Sequence, residues 1–228
     1  QARLEAEQES AVAAMTQEEM EEAIASHVQE QDEEAQPHEP IDFEGLQELN
    51  EDVYAWISIP GTEIEYPIVQ HETDDTYYLN YNIDGSYGYP GCIYTEKLNA
   101  KDFSDPNTLI YGHNMKNGTM FAGLHSYFDK DFFDENQIIY IYMPDQTITY
   151  QIFAAYIYDD RHLLYSFDFT DEEVYGTYLE EIFSRRDMQT NLNTEVEVTT
   201  ESKIITLCTC IGDQPDNRLL VQAVRVEK

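Results

Sequence analysis

A thiol, an imidazole and a guanidinium, three groups that together can carry acyl transfer, fall at the ends of short apolar runs in this sequence. Cys210 closes the run Lys203-Ile204-Ile205-Thr206-Leu207-Cys208-Thr209-Cys210. With no Gly or Pro and with β-branched and apolar residues throughout its centre, that run reads as a buried strand. A thiol where a strand emerges into a loop is held by a rigid element and can still be reached by a substrate. After the loop a second run, Arg218-Leu219-Leu220-Val221-Gln222-Ala223-Val224, opens with Arg218, so a guanidinium can stand beside the thiol. A thiol becomes a nucleophile near neutral pH only beside a base or a charged partner. Of the six histidines, His113 alone has a comparable setting, after the apolar run Asn107-Thr108-Leu109-Ile110-Tyr111 and Gly112. Gly112 permits close backbone approach there.

Taken singly, each group has a plainer reading. A strand-end Cys is commonly a packing residue, a lone His a satisfied surface or core group, and an Arg after a loop is solvated. Cys208 and Cys210 with His113 also suggest a zinc site, because alternate strand residues share a face. No fourth ligand stands at a usual Cys-x2-Cys or His-x3-His spacing, which weighs against it. Asp213 and Asp216 precede Arg218 and either orient His113 or solvate the loop. His27, His38, His71, His125 and His162 lack a strand-end Gly-His context and are assigned no role. Cys92, within Gly91-Cys92-Ile93-Tyr94, reads as a core thiol.

Tyr111-Gly112-His113-Asn114-Met115, Thr206-Leu207-Cys208-Thr209-Cys210 and Arg218, in that order, resemble the motifs of a sortase. The His-Asn-Met form, Tyr66-Pro67-Ile68-Val69-Gln70 and Met120-Phe121 are similar to class B, and the resemblance runs from about Leu46 to the C-terminus. It implies a cysteine transpeptidase that cuts a C-terminal sorting signal of secreted proteins between Thr and the next residue, forms a thioacyl-enzyme and passes the protein to an amine. The acceptor it implies is a peptidoglycan precursor or a pilin Lys, and the signal is of the Asn-Pro-x-Thr or Leu-Pro-x-Thr type. Cys210 would be the nucleophile, His113 the proton donor to the leaving amine and Arg218 a fixed cation. Leu79, Cys208 and Thr209 would contact substrate. The middle position of the Thr-Leu-x-Thr-Cys motif varies in the family, so Cys208 is permitted; it would line the groove or form a strained disulfide with Cys210 on oxidation. No cofactor or metal is implied. The expected location is the extracytoplasmic face of a Gram-positive membrane, through an N-terminal signal-anchor preceding Gln1. A cysteine peptidase acting mainly as a hydrolase and a non-catalytic sortase-like binding module are the competing functions.

These groups require strands to position them. Phe43 to Asn50 reads as a helical turn, Val53–Ile59 and Thr62–Gln70 as a hairpin about Pro60-Gly61, and Tyr77–Leu79 as a short helix. Strands at 91–94 and 107–112, a core-facing helix over Thr119–Tyr127, and long strands at Gln137–Met143 and Gln146–Asp159 follow. A helix over Asp171–Arg186, capped by Thr170, carries Val174, Tyr178, Leu179, Ile182 and Phe183 on one face. Closing strands are expected at Glu195–Thr199, Lys203–Cys210 and Arg218–Val226. The pattern is mainly β: a closed or nearly closed eight-stranded sortase-type barrel with N-terminal helices and a helix inserted between late strands.

Residues 1–40 form a separate acidic segment, and 41–228 the catalytic domain. Leu4, Ala11, Met15, Met20, Ile24 and Val28 make a thin helical stripe, Thr16 with Glu19 a capping box, and Gln36-Pro37-His38-Glu39-Pro40 the boundary. That segment reads as a spacer or packing helix. The net charge of −34, from 12 basic against 46 acidic side chains, argues against phosphate-backbone binding, which relies on Lys and Arg. It also disfavours contact with anionic lipid. Three cysteines make an odd count without disulfide-framework spacing, so at least one thiol is free.

Overall fold

The strand that ends in Cys210 is apolar on both faces, and both faces are covered. In this computed structural model, which describes residues 41–226, Ile205 and Leu207 point into one cluster with Ile110, Leu219 and Val221, and Ile204 and Cys208 into a second with Leu109, Leu220 and Tyr156. The period-2 geometry of a strand divides neighbours in this way, and burial on both sides explains the unbroken apolar run.

The order of elements is α1 (Phe43–Leu49), β1 (Val53–Ile59), β2 (Ile64–Val69), a 3-10 turn (Tyr77–Leu79), β3 (Ile93–Tyr94), β4 (Asn107–Tyr111) and a 3-10 helix (Phe121–Phe128). There follow α2 (Lys130–Glu135), β5 (Ile138–Tyr142), β6 (Thr147–Asp159), α3 (Leu163–Ser166), α4 (Glu172–Phe183), β7 (Asn191–Leu192), β8 (Ile204–Ile211) and β9 (Gln214–Arg225). The sheet runs β5-β1-β2-β3-β4-β8-β9-β6-β7, and β5 also pairs with β6. The first eight strands of that order therefore close into a barrel, with β7 attached to β6. Closure removes the open edges that would otherwise invite pairing with another chain. Ile57, Ile59, Ile139, Ile141, Ile205, Leu207 and Val221 fill the interior.

The 12-residue α4 lies over the outer face of β6, β8 and β9, where Tyr175, Tyr178, Leu179 and Ile182 are buried. Its cap is Asp171, not the expected Thr170: Asp171 Oδ1 accepts from Glu173 and Val174 N–H at 2.9 and 3.1 Å, while the Thr170 hydroxyl donates to Asp168. A carboxylate at the helix start both satisfies free N–H groups and faces the positive end of the dipole.

Two further expectations change. Glu195–Thr199 is not a strand; β7 forms earlier, pairing Asn191 and Leu192 with Ala155 and Ala154. Val196 and Val198 alternate because they pack on the outer cluster, not because they join a ladder. The loop expected between Cys210 and Arg218 is strand for most of its length, β8 and β9 being joined across Gly212 and Asp213. The helical stripe, the Thr16–Glu19 box and the 36–40 boundary lie outside the described residues. Within those residues no helix is long and apolar enough to cross a membrane.

Candidate active site

Strand pairing, not proximity in sequence, brings the three groups to one end of the barrel. β4 and β8 are parallel, with Tyr111 opposite Cys208; His113 and Cys210 each stand two residues further on, where the two strands emerge side by side. β8 and β9 are antiparallel, with Cys210 directly opposite Arg218. Period 2 keeps Cys208 and Cys210 on the same outward face.

Short hydrogen bonds fix that end. Thr209 Oγ1 donates to Gly112 O at 2.8 Å, Gly112 N–H to Cys208 O at 3.2 Å, and Asn114 Nδ2 to Cys210 O at 3.1 Å. Gly112 is required by space: a Cβ there would stand 2.4 Å from Ile93 Cδ1 and 2.7 Å from the Phe121 ring. Asn114 and the Thr209 hydroxyl thus hold the His-bearing segment against the Cys-bearing strand. Asn114 sits inside the recognised motif, but nothing in its spacing announces that tie.

His113 Nε2 lies 2.9 Å from Leu79 O. A carbonyl only accepts, so Nε2 carries the hydrogen, and Nδ1 is the nitrogen left to exchange a proton. The ring also meets Tyr89 edge-on at 5.2 Å between centroids. Asp213 and Asp216 are exposed and make no hydrogen bond to His113. The backbone of the Tyr77–Leu79 turn orients the imidazole in their place. Arg218 Nη1 donates to Pro215 O at 2.7 Å and Asn217 O at 2.9 Å. Those bonds pin one corner of the guanidinium and leave Nε and Nη2 without a protein partner among the described residues.

The two neighbouring thiols differ sharply. Cys210 is exposed, whereas Cys208 is 9% accessible. Burial pushes the Cys208 thiol up to about 12, against the opposing pull of the Arg218 charge. Burial likewise pushes Cys92 up to about 12, with the Asp84 charge adding to it. Removing a thiolate from water costs more than a nearby cation returns, so both stay protonated near neutral pH. All three cysteines are free thiols.

A cleft of about 240 Å3 opens beside Cys210, with Leu79 and His113 on one wall and Asp159, Arg161 and His162 on another. Leu79, Cys208 and Thr209, the expected substrate contacts, all border it. The Thr209 hydroxyl, however, is already engaged with Gly112. His162 was not anticipated: its Nε2 lies 2.5 Å from Glu96 Oε2 and 3.3 Å from the Tyr111 hydroxyl. Burial raises the Glu96 pKa and outweighs the lowering by His162. The sequence hides this pair because its members are 66 residues apart and neither belongs to a motif.

A closed barrel that presents an exposed thiol, a backbone-oriented imidazole and an opposed guanidinium beside a peptide-sized cleft has the parts of a cysteine acyl transferase. Residues 57–226 match the sortase domain, and the chain belongs to the sortase family. It is 34% identical to sortase B of Listeria monocytogenes over 189 residues, covering 82% of this chain and 75% of that protein. With sortase B of Staphylococcus aureus it shares 30% identity over 77% of this chain and 70% of that one. The solved sortase B of Clostridium perfringens superimposes with a TM-score of 0.72 at 30% identity, over 81% of this chain and 99% of that one. These likenesses define a class B sortase, a cysteine transpeptidase.

Proposed function

We propose that Cys210 is the nucleophile, His113 the proton carrier and Arg218 the oxyanion donor in cleavage of a sorting signal of the Asn-Pro-x-Thr or Leu-Pro-x-Thr type. The Cys210 thiol proton passes to His113 Nδ1 as Sγ attacks the Thr carbonyl, and negative charge moves to the carbonyl oxygen. Arg218 donates N–H to that oxygen, a contact that strengthens as charge develops. The C–N bond then breaks, His113 gives a proton from Nδ1 to the leaving amine, and a thioester remains on Cys210. A second amine attacks the thioester, its surplus N–H proton passes to His113 Nδ1, and the carbon–sulfur bond breaks to release the Cys210 thiolate, which His113 can reprotonate. The acceptor is an amine of a peptidoglycan precursor or of a pilin Lys, and the enzyme works at the outer face of a Gram-positive cell membrane. Leu79 and Cys208 contribute apolar surface to the signal's groove.

The observation that carries this reading is the register: Cys210 directly opposite Arg218, with His113 on the parallel neighbour at the matching step. The test is mass analysis of products from a sorting-signal peptide library, with and without added amine. Cleavage after Thr, with the acyl part joined to the amine, is expected. Release of free acid alone, even with amine present, would replace the transferase reading with that of a hydrolase.

A further inference from the structure

His113 borders the cleft that holds Cys210, and the turn that orients it backs onto a second cavity. The second, of about 360 Å3, is bordered by Tyr66 and Pro67 of β2, by Asn82, Ile83 and Asp84, and by Pro90–Ile93 and Met120. Three segments tie its wall to His113. Gly91 backs onto the Tyr77–Leu79 turn so closely that a Cβ would stand 3.0 Å from Leu79 O, the carbonyl that accepts from His113. Pro90 follows Tyr89, whose ring touches the imidazole. Met120 pairs with Asn114, and its N–H donates to the Tyr66 hydroxyl at 3.0 Å.

The two cavities differ in charge: the thiol cleft carries both signs, the second a carboxylate alone. The thiol cleft is lined by Arg161 and Arg218, by Asp159 and Asp160, and by His113 and His162, so its formal charges balance. Among the residues lining the second cavity, the only formally charged side chain is Asp84. Its Oδ1 accepts from Ser86 N–H and Oγ at 2.9 and 2.6 Å, bonds that hold its carboxyl below the usual range and keep it ionised. In the same loop, Tyr87 and Tyr89 are 76% and 73% exposed, and aromatic faces of this kind attract ammonium groups. The chain's net charge of −34 raises the local concentration of any cationic ligand.

We infer that this second cavity is the acceptor subsite, taking a peptide segment that carries a primary ammonium, held by Asp84 and the exposed tyrosines and delivered past His113 to the thioester. The inference rests on the transpeptidase reading above. The acceptor loses one proton to solvent as it leaves Asp84. Its nitrogen then bonds to the acyl carbon, the remaining surplus N–H proton passes to His113 Nδ1, and the carbon–sulfur bond breaks to release the Cys210 thiolate.

The test compares the full chain with its Asp84→Asn, Asp84→Lys and Ile83→Trp variants, using a cleavable sorting-signal peptide and either triglycine or Nα-acetyl-lysine amide as acceptor. The two acceptors distinguish an α-amine from a side-chain amine. Asp84→Asn should raise the KM for amine by about threefold at low salt, the scale of one exposed ion pair. Asp84→Lys should raise it further, and Ile83→Trp should raise it by filling the cavity. The rate of acyl-enzyme formation without amine, and the melting temperature of Asp84→Asn, should stay at wild-type values. Unchanged amine KM in all three variants, with normal transfer, would overturn the subsite and leave the transpeptidase standing. Wild-type cleavage with transfer to neither amine would instead remove the transpeptidase reading, and this subsite with it.

Discussion

The middle and the end of the β4–β8–β9 ribbon use polar residues on the same outward face for opposite purposes. In the middle, Thr206 Oγ1 donates to Asn107 Oδ1 at 2.8 Å, and Gln222 Nε2 donates to Thr206 Oγ1 at 2.8 Å and to the Tyr178 hydroxyl at 2.6 Å. Tyr156 donates to Gln222 Oε1 at 3.0 Å, and the whole set is buried beneath α4. Four residues beyond Thr206 along the same strand, Cys210 is exposed, opposite an Arg218 that keeps donors free. The difference is cover. Where α4 seals the face, polar groups must satisfy one another, and they lock strand register. Where that cover ends, similar strand positions keep reactive valences for a substrate, and the locked middle holds them in place.

The largest effect should come from the thiol at the open end. Cys210→Ala should abolish both turnover and labelling by a substrate-like electrophile, while Cys208→Ala keeps both. The pH dependence follows from burial: a thiol whose pKa is raised stays protonated below it, and Cys92 and Cys208 are both pushed up to about 12. Between about pH 7 and 9, therefore, Cys210→Ala should resist alkylation, which intact-mass measurement reads directly. Labelling that follows Cys208 would erase the contrast between the covered and open ends.

Arg218 separates charge from geometry. If it supplied positive potential alone, Lys would restore most activity, since each carries one charge. A planar fork offers paired donors that an ammonium cannot copy. Arg218→Lys should therefore fall close to Arg218→Ala, about 10²–10³ below wild type in turnover, the usual cost of losing a positioned oxyanion donor. Turnover measured beside the pH profile of Cys210 alkylation tests this: near-wild-type turnover in the Lys variant would leave a purely electrostatic role.

At the sealed middle the loss should appear in stability and not in chemistry. Gln222→Leu removes a partner from the Tyr156 and Tyr178 hydroxyls and from Thr206 Oγ1, leaving the two hydroxyls only their long mutual contact of 3.5 Å, and an under-satisfied buried group costs about 1–3 kcal/mol. Thermal melting should drop by several degrees, with turnover per folded molecule near wild type. A collapse of turnover without loss of stability would mean that this network acts on the site directly.

Much of this contrast was legible in the sequence, because its signals are local. The unbroken apolar run over 204–208 announces a strand covered on both faces, and the motifs around His113, Cys210 and Arg218 pick out the strand ends that the register brings together. A closed or nearly closed barrel was expected from some eight mostly short, consecutive strands; which pair closes it, β5 with β6, comes from the structure. What escaped depends on tertiary partners. Leu79 was expected to contact substrate and borders the cleft, but its carbonyl orients His113 through a backbone contact that no side-chain pattern records. Glu96 and His162 meet only because β3 and β6 end on the same rim. Val196 and Val198 imitate a strand because packing on a helix and pairing in a ladder can impose the same alternation. Thr170 and Asp171 are adjacent cap formers, and only the hydrogen bonds decide between them.

The smallest effect should follow removal of residues 1–40. All of the groups assigned to chemistry lie between Leu79 and Arg218, the family match begins at residue 57, and the described domain opens with a helix capped by its own Asp42 through Gly45 N–H. Among the described residues, the barrel interior is filled from Tyr54 onward. We propose that 1–40 is a spacer, so a protein beginning at Ile41 should cleave peptide within a few-fold of the full chain and melt at a similar temperature. Deletion would also remove part of the acidic field, and for a cationic acceptor that loss should appear as a modest rise in amine KM that added salt erases. A large fall in melting temperature would instead show that the segment packs against the barrel, and would extend the sealed region beyond the face that α4 covers.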